Sequence, residues 1–493
     1  FDPTFNHGLG TWLGCTLERV ILNTLGGNDY VVSDDTGTRF TINGGDGNDI
    51  FQIAQVFNSA RDALAGIAPE DLFRTVKTTQ GYLSRGISFE MIINGGNGND
   101  QFLVYHNKAE LFVNGDAGDD KFLVRAFVVV DSSGDQQTTN IFTGEGINEV
   151  TYAINAPVKI DGGAGFNTLV ILLTEYKDEV VITEDRIYGA GLTVSYVNIQ
   201  RLEVDGMAGD DVFYILSTGP DIEVTIIGSL GSDTFIITGD ITGNVVAVDS
   251  EGNPAVLPAP THKTGAIKGK LTLIGGPVEG ADRSLSAAVT LPTETNRYIP
   301  AGSTSAIGES TLSDDDVIFD PAVVGFFLGL LDDEGQIVQL RKITGLNNNI
   351  LTLDTPWDQV PATETEYVVL SASPTLFVDE TTQTDKLLIY NDQSSGNDTG
   401  ELTGDSITGI NMTYGIIFRG FEEFELWLGQ GNDTLTVSDT PWGAHTVING
   451  GSGNDRFELM SAQNHPTITG DGDLTINGDA GNDYFNIIFD SFA

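Results

Sequence analysis

The chain has 493 residues, and its 70 acidic against 23 basic side chains give a net charge of -47. That charge repels nucleic acid and anionic membrane surfaces and makes divalent cations the natural counterions. Sixty glycines point to an all-β chain, as do abundant Thr, Val and Ile and few helix-favouring stretches, while the single Cys15 excludes an intrachain disulfide. The longest apolar stretch, Val323 to Leu331, contains glycines and falls far short of the roughly 20 residues of a membrane-spanning helix.

From the start, Leu17 to Val32 reads as strand, glycine turn and strand, the turn closing at Asp29. A tighter phrase follows, Asn43-Gly44-Gly45-Asp46-Gly47-Asn48-Asp49, and it recurs at Asn94 to Asp100, Asn114 to Asp120, Asn449 to Asp455 and Asn477 to Asp483. Looser turns close at Asp211, Asp233 and Asp433. Before and after each turn, alternate residues are apolar: Phe40 and Ile42 with Phe51 and Ile53, Met91 and Ile93 with Phe102 and Val104, Leu111 and Val113 with Phe122 and Val124. The same holds for Leu202 and Val204 with Phe213 and Ile215, for Val224 and Ile226 with Phe235 and Ile237, for Phe457 and Leu459, and for Leu474 and Ile476 with Phe485 and Ile487, all of which are expected to face a core. A period of two predicts half-buried strands on both sides of each turn.

Between these rungs lie segments of other character. Ser59 to Lys77 has helical features, with Ser59 as N-cap before Ala60 to Ala65 and Pro69 opening a second turn. Gly144-Glu145-Gly146-Ile147-Asn148 and Gly163-Ala164-Gly165-Phe166-Asn167 keep the glycines but lose the closing acid, so these turns are expected to be empty of metal. Asn253 to Pro260 reads as a linker. Thr290 to Ser373 reads as an inserted small β-barrel or sandwich, in which Asp314-Asp315-Asp316 is expected to be a solvated loop.

Spacing gives the architecture. Closing positions recur at about 20 residues, as from Asp29 to Asp49 and Asp100 to Asp120, or about 28, as from Asp455 to Asp483, the length of one coil of a parallel β-solenoid. A longer repetition, of around 200 residues, relates Ile199 to Gly206 with Phe421 to Leu428, and Thr168 to Ile171 with Lys386 to Ile389. The expected organisation is residues 1–165 as a first solenoid unit with the helical insertion near 59–77, then 166–289 as a second, 290–373 as the inserted module and 374–493 as a third.

Within a turn, glycine permits φ > 0 and lets carbonyls point inward. The closing acid and its Asn or Asp neighbours supply the hard oxygen ligands that calcium prefers. Candidate metal ligands are Asp29; Asp46, Asn48 and Asp49; Asn99 and Asp100; Asp116, Asp119 and Asp120; Asp210 and Asp211; Asp233; Asn432 and Asp433; Asn454 and Asp455; and Asp479, Asn482 and Asp483. Stacked carboxylates roughly 4.8 Å apart repel by about 0.9 kcal/mol in water and more at a protein surface, so the edge should resist stacking without cations. The leading Asn43, Asn94, Asn114, Asn449 and Asn477 read instead as a structural amide ladder.

Gly-Gly-x-Gly-Asn-Asp-x-Phe resembles the nonapeptide of the repeats-in-toxin, or haemolysin-type, calcium-binding repeat proteins. The resemblance covers roughly a quarter of the chain. It implies a parallel β-roll with calcium (Ca2+) between successive turns, held by Asp49, Asp100, Asp120, Asp211, Asp233, Asp433, Asp455 and Asp483, with Asp29 weaker. Here only one turn per rung carries the phrase, which implies a one-sided ladder or isolated sites. In organisation the chain resembles giant repetitive bacterial surface or matrix proteins.

Catalytic patterns are missing. His7, His106, His262, His445 and His465 are scattered without a His-Glu-x-x-His helix, and there is neither a Gly-x-Ser-x-Gly elbow nor a phosphate-binding loop. The expectation is a non-enzymatic, calcium-binding, extracellular structural repeat protein, part of a filament, surface layer or matrix fibre. Calcium, other copies of itself and cell-surface polysaccharide are its expected partners. The alternatives are an adhesin or carbohydrate-binding surface protein, and a β-helix polysaccharide-degrading enzyme. Starting at Phe1 without a signal peptide, the chain reads as a portion of a longer protein, and neither Leu17 to Val32 nor Tyr484 to Phe489 looks like a polar cap.

Overall fold

A computed structural model describes residues 17–57, 74–77, 82–125, 139–153, 158–278, 301–370, 382–460 and 472–488, with short breaks inside 158–278 and 301–370. By contact the chain divides into two compact units, residues 1–142 with 283–376 and residues 143–282 with 377–493. The described residues hold no α-helix, only a 3-10 turn at Thr264–Ala266 among β-strands.

In the first unit, Arg19–Asn23, Arg39–Asp46, Met91–Asn97, Leu111–Ala117 and Thr139–Phe142 pair in that order as one sheet. Tyr30–Ser33, Ile50–Ile53, Gln101–Val104 and Lys121–Arg125 pair as another, and every neighbour in both is parallel. The chain therefore coils as a solenoid, alternating between the two sheets. The sequence's period of two is realised literally: Phe51, Phe102 and Phe122 are buried and stack ring on ring at 5.2 and 4.7 Å. Lys121, one residue from Phe122, is exposed. Each ring fills the space left by the pleat of the rung beneath, and such stacking adds to the area each ring removes from water.

Register is exact enough that like sits on like. Asn43 lies opposite Asn94, and Asn94 opposite Asn114. The expected amide ladder is present, with Asn43 donating to Asn23 at 2.7 Å, Asn94 to Asn43 at 2.8 Å and Asn114 to Asn94 at 2.6 Å. A one-residue slip would turn every core side chain outward, so core and ladder fix the same register.

The insertion expected to be helical lies mostly outside the described residues, Ser59 to Phe73 included. Where it re-emerges it is extended: Val76–Lys77 pairs antiparallel with Tyr82–Leu83, which pairs with Val56–Phe57. Leu83 packs there with Ala54 and Tyr105 outside the main core.

Residues 301–370 form a curled seven-stranded antiparallel sheet, as the inserted-module reading anticipated. Its order is Ala301–Ser303, Glu366–Leu370, Phe327–Leu331, Ile337–Asn347, Ile350–Leu353, Thr311–Ser313 and Ala306–Gly308. The long strand Ile337–Asn347 serves both halves and lets the sheet close around Leu328, Leu330, Ile343, Leu351, Trp357 and Tyr367. Asp314 is not solvated as expected. It is buried and accepts a hydrogen bond from Tyr367 Oη at 2.8 Å, while Asp315 stays exposed and Asp316 lies outside the described residues.

The second unit continues the two-sheet plan, with one elaboration used twice. After Phe166–Leu172 the chain crosses to the other sheet and makes an antiparallel meander, Glu179–Ile182, Arg186–Gly189 and Leu192–Val197, before returning to Arg201–Asp205 beside Phe166–Leu172. After Lys386–Tyr390 it does the same on the opposite sheet, through Thr399–Leu402, Ser406–Gly409 and Ile416–Arg419. These meanders follow the two segments that the long sequence repetition matched. Thr234–Ile237 pairs with Lys386–Tyr390 across 152 residues of chain, so the antiparallel module is spliced between two consecutive rungs. At the last described rung Phe485 stacks on Phe457 at 5.1 Å but is 45% exposed, because no described rung covers its other face.

Candidate cation-binding edge

The glycine turns stack directly on one another. Gly45 and Gly47 take φ of 101° and 137°, and a Cβ on Gly47 would sit 2.0 Å from the carbonyl oxygen of Gly27 in the rung below, so no other residue fits there. Backbone bonds tie the turns together: Gly27 N–H donates to Asp46 O at 2.8 Å, Gly47 N–H to Asn97 O at 2.8 Å, and Gly98 N–H to Ala117 O at 2.9 Å.

The closing aspartates form a ladder of one polarity. The N–H of Asp29 donates to Asp49 Oδ1 at 2.8 Å, that of Asp49 to Asp100 Oδ1 at 2.7 Å, and that of Asp100 to Asp120 Oδ1 at 2.8 Å. In the second unit the same bond runs from Asp178 to Asp211, Asp211 to Asp233 and Asp233 to Asp385, at 2.7 to 2.8 Å. It runs again from Asp398 to Asp433, Asp433 to Asp455 and Asp455 to Asp483, at 2.7 to 3.0 Å. Asp49, Asp100, Asp120, Asp211 and Asp233 are fully buried, and Asp433 and Asp455 nearly so.

The penultimate turn residues make a second ladder of opposite polarity. Asn48 Oδ1 accepts from Asn99 N–H at 2.9 Å, Asn99 Oδ1 from Asp119 N–H at 3.0 Å, and Asp210 Oδ1 from Ser232 N–H at 3.0 Å. Asn432 Oδ1 accepts from Asn454 N–H at 2.7 Å, and Asn454 Oδ1 from Asn482 N–H at 2.9 Å. The remaining candidates sit on the exposed rim of the turns, where Asp46 accepts from Asn97 Nδ2 at 2.8 Å, Asp116 from Gly96 N–H, and Asp479 from Gly451 N–H at 3.1 Å. The structure thus brings the candidates together in files along the stack, each file bonded rung to rung. Among the described residues no three His, Cys, Asp or Glu side chains surround one point.

At five closing aspartates one atom is left over. Oδ2 of Asp29, Asp49, Asp100, Asp211 and Asp455 is buried without a hydrogen-bond donor. In three rungs it lies close to the same glycine Cα as a carbonyl oxygen of the next rung. The point where a Cβ on Gly44 would lie is 2.3 Å from Asp49 Oδ2 and 2.4 Å from Gly95 O. At Gly95 the corresponding distances are 2.2 Å to Asp100 Oδ2 and 2.8 Å to Gly115 O, and at Gly206 both Asp211 Oδ2 and Gly228 O lie at 2.5 Å. A buried carboxylate oxygen without a donor is costly unless it is protonated or met by a cation. In kind the donor set, anionic and carbonyl oxygen only, fits calcium. Asp433 differs, since its Oδ2 accepts from Gly429 N–H at 2.9 Å.

Burial dominates the electrostatics. It pushes the Asp100 carboxyl up to about 6, Asp120 to about 7 and Asp211 to about 9, against the lowering effect of the backbone N–H that each accepts. Neighbouring carboxylates raise them further.

Asn148 and Asn167, in the two turns without an acid, are buried at the aspartate position. Asn148 Nδ2 donates to Asn167 Oδ1 at 3.0 Å, and Asn167 Nδ2 donates to Asn198 O at 3.1 Å. An amide there supplies the donor that a carboxylate lacks.

The sequence reading missed Asp178, Asp385 and Asp398, which close rungs without a full glycine phrase ahead of them. For Asp178 and Asp385 the available signal was an acid followed by alternating apolar residues, Asp178-Glu179-Val180-Val181-Ile182 and Asp385-Lys386-Leu387-Leu388-Ile389. Asp398 follows Gly396-Asn397, and both its oxygens are taken, Oδ2 by Asn391 Nδ2 and Oδ1 by Asn411 Nδ2, each at 2.7 Å. His262, one of the scattered histidines, is clamped between Asp392 at 2.8 Å and Asp240 at 3.1 Å. No protein-family model matches the chain, and no curated protein matches it.

Proposed function

We propose that this chain is an extracellular structural repeat segment, a building block of a filament, surface layer or matrix fibre, with calcium as the counterion of its acidic edge. The observation that carries this reading is the use of the turn residues. Along the edge their side chains are committed to bonds between rungs, which is what a stiff repeat needs and what a catalytic cleft, with polar groups presented to a substrate, does not.

Calcium would be held by Oδ2 of Asp49, Asp100, Asp211 and Asp455 with the facing glycine carbonyls. Its contribution is positive charge among buried carboxylates. Extracellular modules bind calcium with dissociation constants of about 10⁻⁴ to 10⁻³ M, so millimolar calcium suits such a site. On the exposed rim, Asp46, Asp119, Asp210 and Asp479 add carboxylates that calcium would also screen, lowering the repulsion that a net charge of -47 imposes between chains.

Thermal unfolding in calcium, in magnesium and in a chelator, followed by light scattering of the same samples, tests both halves. Each independent site at tenfold excess of calcium should add about 1.4 kcal/mol. An unchanged melting temperature on chelation removes calcium from the reading and leaves the structural role. A compact monomer at high concentration in every condition removes the polymer and favours a monomeric adhesin or carbohydrate-binding surface protein.

A further inference from the structure

We propose that residues 240–248 and 253–262 are the two arms of a strap over an outer face of the second unit's solenoid, latched where its ends meet by a protonated His262, and that the latch releases as pH rises above neutral. The face beneath is apolar. Phe213, Phe235 and Leu387 point into the core, and their neighbours on the other side of the sheet line up as a second file, Val181 opposite Tyr214, Tyr214 opposite Ile236 and Ile236 opposite Leu388. Left in water such a file would be costly, yet Val181, Tyr214 and Ile236 are buried. The strap covers them. Ile241, Val245 and Ala247 on the outgoing arm and Ala255 and Leu257 on the returning arm pack into this cluster, while Val246 and Val256 point away from it, 55% and 89% exposed. Asn253 to Pro260, which reads in sequence as a linker, thus lies on the returning arm. The outward file turns charged at Glu425, opposite Leu388.

Few polar bonds fasten the arms. Gly243 N–H donates to Tyr214 Oη at 2.9 Å, Gly191 N–H to Val246 O at 2.8 Å and Ala255 N–H to Ala247 O at 2.9 Å. The ends meet at His262, whose N–H donates to Thr238 O at 3.0 Å and whose carbonyl accepts from Gln393 N–H at 3.2 Å. Its ring lies between two carboxylates. Nε2 is 3.1 Å from Asp240 Oδ1, at the start of the outgoing arm, and Nδ1 is 2.8 Å from Asp392 Oδ1, in the loop after Lys386–Tyr390. One side chain therefore joins the first residue of the strap to the last and both to the neighbouring rung.

That junction needs the charged ring. An ionised carboxylate only accepts, and a neutral imidazole has a single N–H, so its other nitrogen would face an acceptor with an acceptor; the imidazolium donates to both. Tyr390 sets its ring edge-on to His262 at 5.6 Å, Glu425 approaches Tyr390 from the next strand, and Lys263, beside His262 in the chain, is exposed. Burial of the ring works against its charge, but the Asp392 and Asp240 carboxylates outweigh it and hold His262 protonated above the usual imidazole range. With the folded value raised, the latch is complete below about pH 6.5 and is lost as pH climbs through the folded value. The strap is independent of both calcium and polymer formation.

Hydrogen exchange of the whole chain at constant calcium, read by mass spectrometry at pH 5.5, 7 and 8.5 with times scaled to the intrinsic exchange rate, tests the latch. Peptides covering Gly243 to Val246 and Ala255 to His262 should lose protection as pH rises, by up to about tenfold per pH unit for one proton, while Thr234–Ile237 keeps its own. His262→Gln, which cannot carry the charge, should exchange the strap at pH 5.5 as fast as the wild type does at pH 8.5, with no dependence on pH. Asp240→Asn changes a side chain that is 74% exposed and removes one of the two carboxylates, so it should move the loss to lower pH. That variant decides the matter even where His262→Gln fails to fold, and an unmoved midpoint counts against the latch. Strap protection that ignores pH in the wild type, follows pH equally in His262→Gln, or falls only together with Thr234–Ile237 overturns the proposal.

Discussion

Asn167 donates its side-chain amide to the carbonyl oxygen of Asn198, 3.1 Å away, at the place where other turns carry an aspartate oxygen with no donor. Of the two turns where an amide replaces the acid, this one has a hydrogen-bearing group where Oδ2 of Asp29, Asp49, Asp100, Asp211 and Asp455 has none.

Above about pH 9, where Asp211 has lost its proton, Asp211→Asn should therefore stabilise the second unit in the presence of a chelator, because the amide oxygen can still accept Asp178 N–H while the amide nitrogen donates to Gly228 O. The same variant should lose its share of any calcium response. Asp211→Ala should instead cost about 1 to 3 kcal/mol by orphaning the buried Asp178 N–H. Urea unfolding of the three proteins with and without calcium measures both effects. A destabilised Asp211→Asn in chelator above that pH would show that no donor is missing there.

Without divalent cations, stability should fall as pH rises. Asp100, Asp120 and Asp211 titrate in the folded protein near 6, 7 and 9, above the roughly 3.9 of an unfolded aspartate. Between those limits the folded state holds more protons, so their stabilisation is complete below about pH 4 and is lost as pH climbs through each folded value. Urea midpoints in chelator at pH 5, 7 and 9 should decline in that order, and Asp211→Asn should remove the steepest part above pH 7. Calcium should flatten the decline by replacing the protons. A midpoint that rises with pH in chelator contradicts the assignment.

The same aspartates show how far the sequence could be read. Alternation of apolar residues after each closing acid was enough to place Phe51, Phe102, Phe122, Phe213, Phe235 and Phe457 in the core and to give a coil of about 20 residues, because a strand's two faces differ in the sequence itself. The direction in which a carboxylate turns is not written there. Asp49 has the composition of a calcium ligand, yet one of its oxygens is spent on Asp29 N–H, a bond that exists only once two rungs are stacked. The antiparallel meanders escaped for a related reason: Glu179–Ile182 and Arg186–Gly189 alternate as any strand does, and their reversed direction comes from the turn at Thr183 to Asp185, which carries no glycine phrase. Asp314 was misread because its partner, Tyr367, lies 53 residues away.

Position along the stack should set the value of each aromatic ring. Phe102 is clasped by Phe51 and Phe122, so Phe102→Ala should cost about 3 to 5 kcal/mol. Phe485 has a ring on one side only, and Phe485→Ala should cost about 0.5 kcal/mol in dilute monomer. Denaturant midpoints compared at low protein concentration give the ratio. Equal losses would mean that the last rung is covered in solution.

The glycines that open each turn should separate structural from cation-linked effects. In Gly95→Ala the new methyl would lie 2.2 Å from Asp100 Oδ2 and 2.8 Å from Gly115 O, filling the gap between the two acceptors. Overpacking of this kind costs about 1 to 3 kcal/mol. Because the displaced oxygens are those assigned to the cation, the same variant should also lose a share of the calcium-dependent rise in melting temperature. Gly26→Ala is the control: its nearest neighbour is Asp46 O at 3.5 Å, an ordinary contact. It should keep both stability and calcium response. If Gly95→Ala lowered the melting temperature equally in calcium and in chelator, the gap beneath Gly95 would hold no ion, and a proton on Asp100 would be what joins these two rungs.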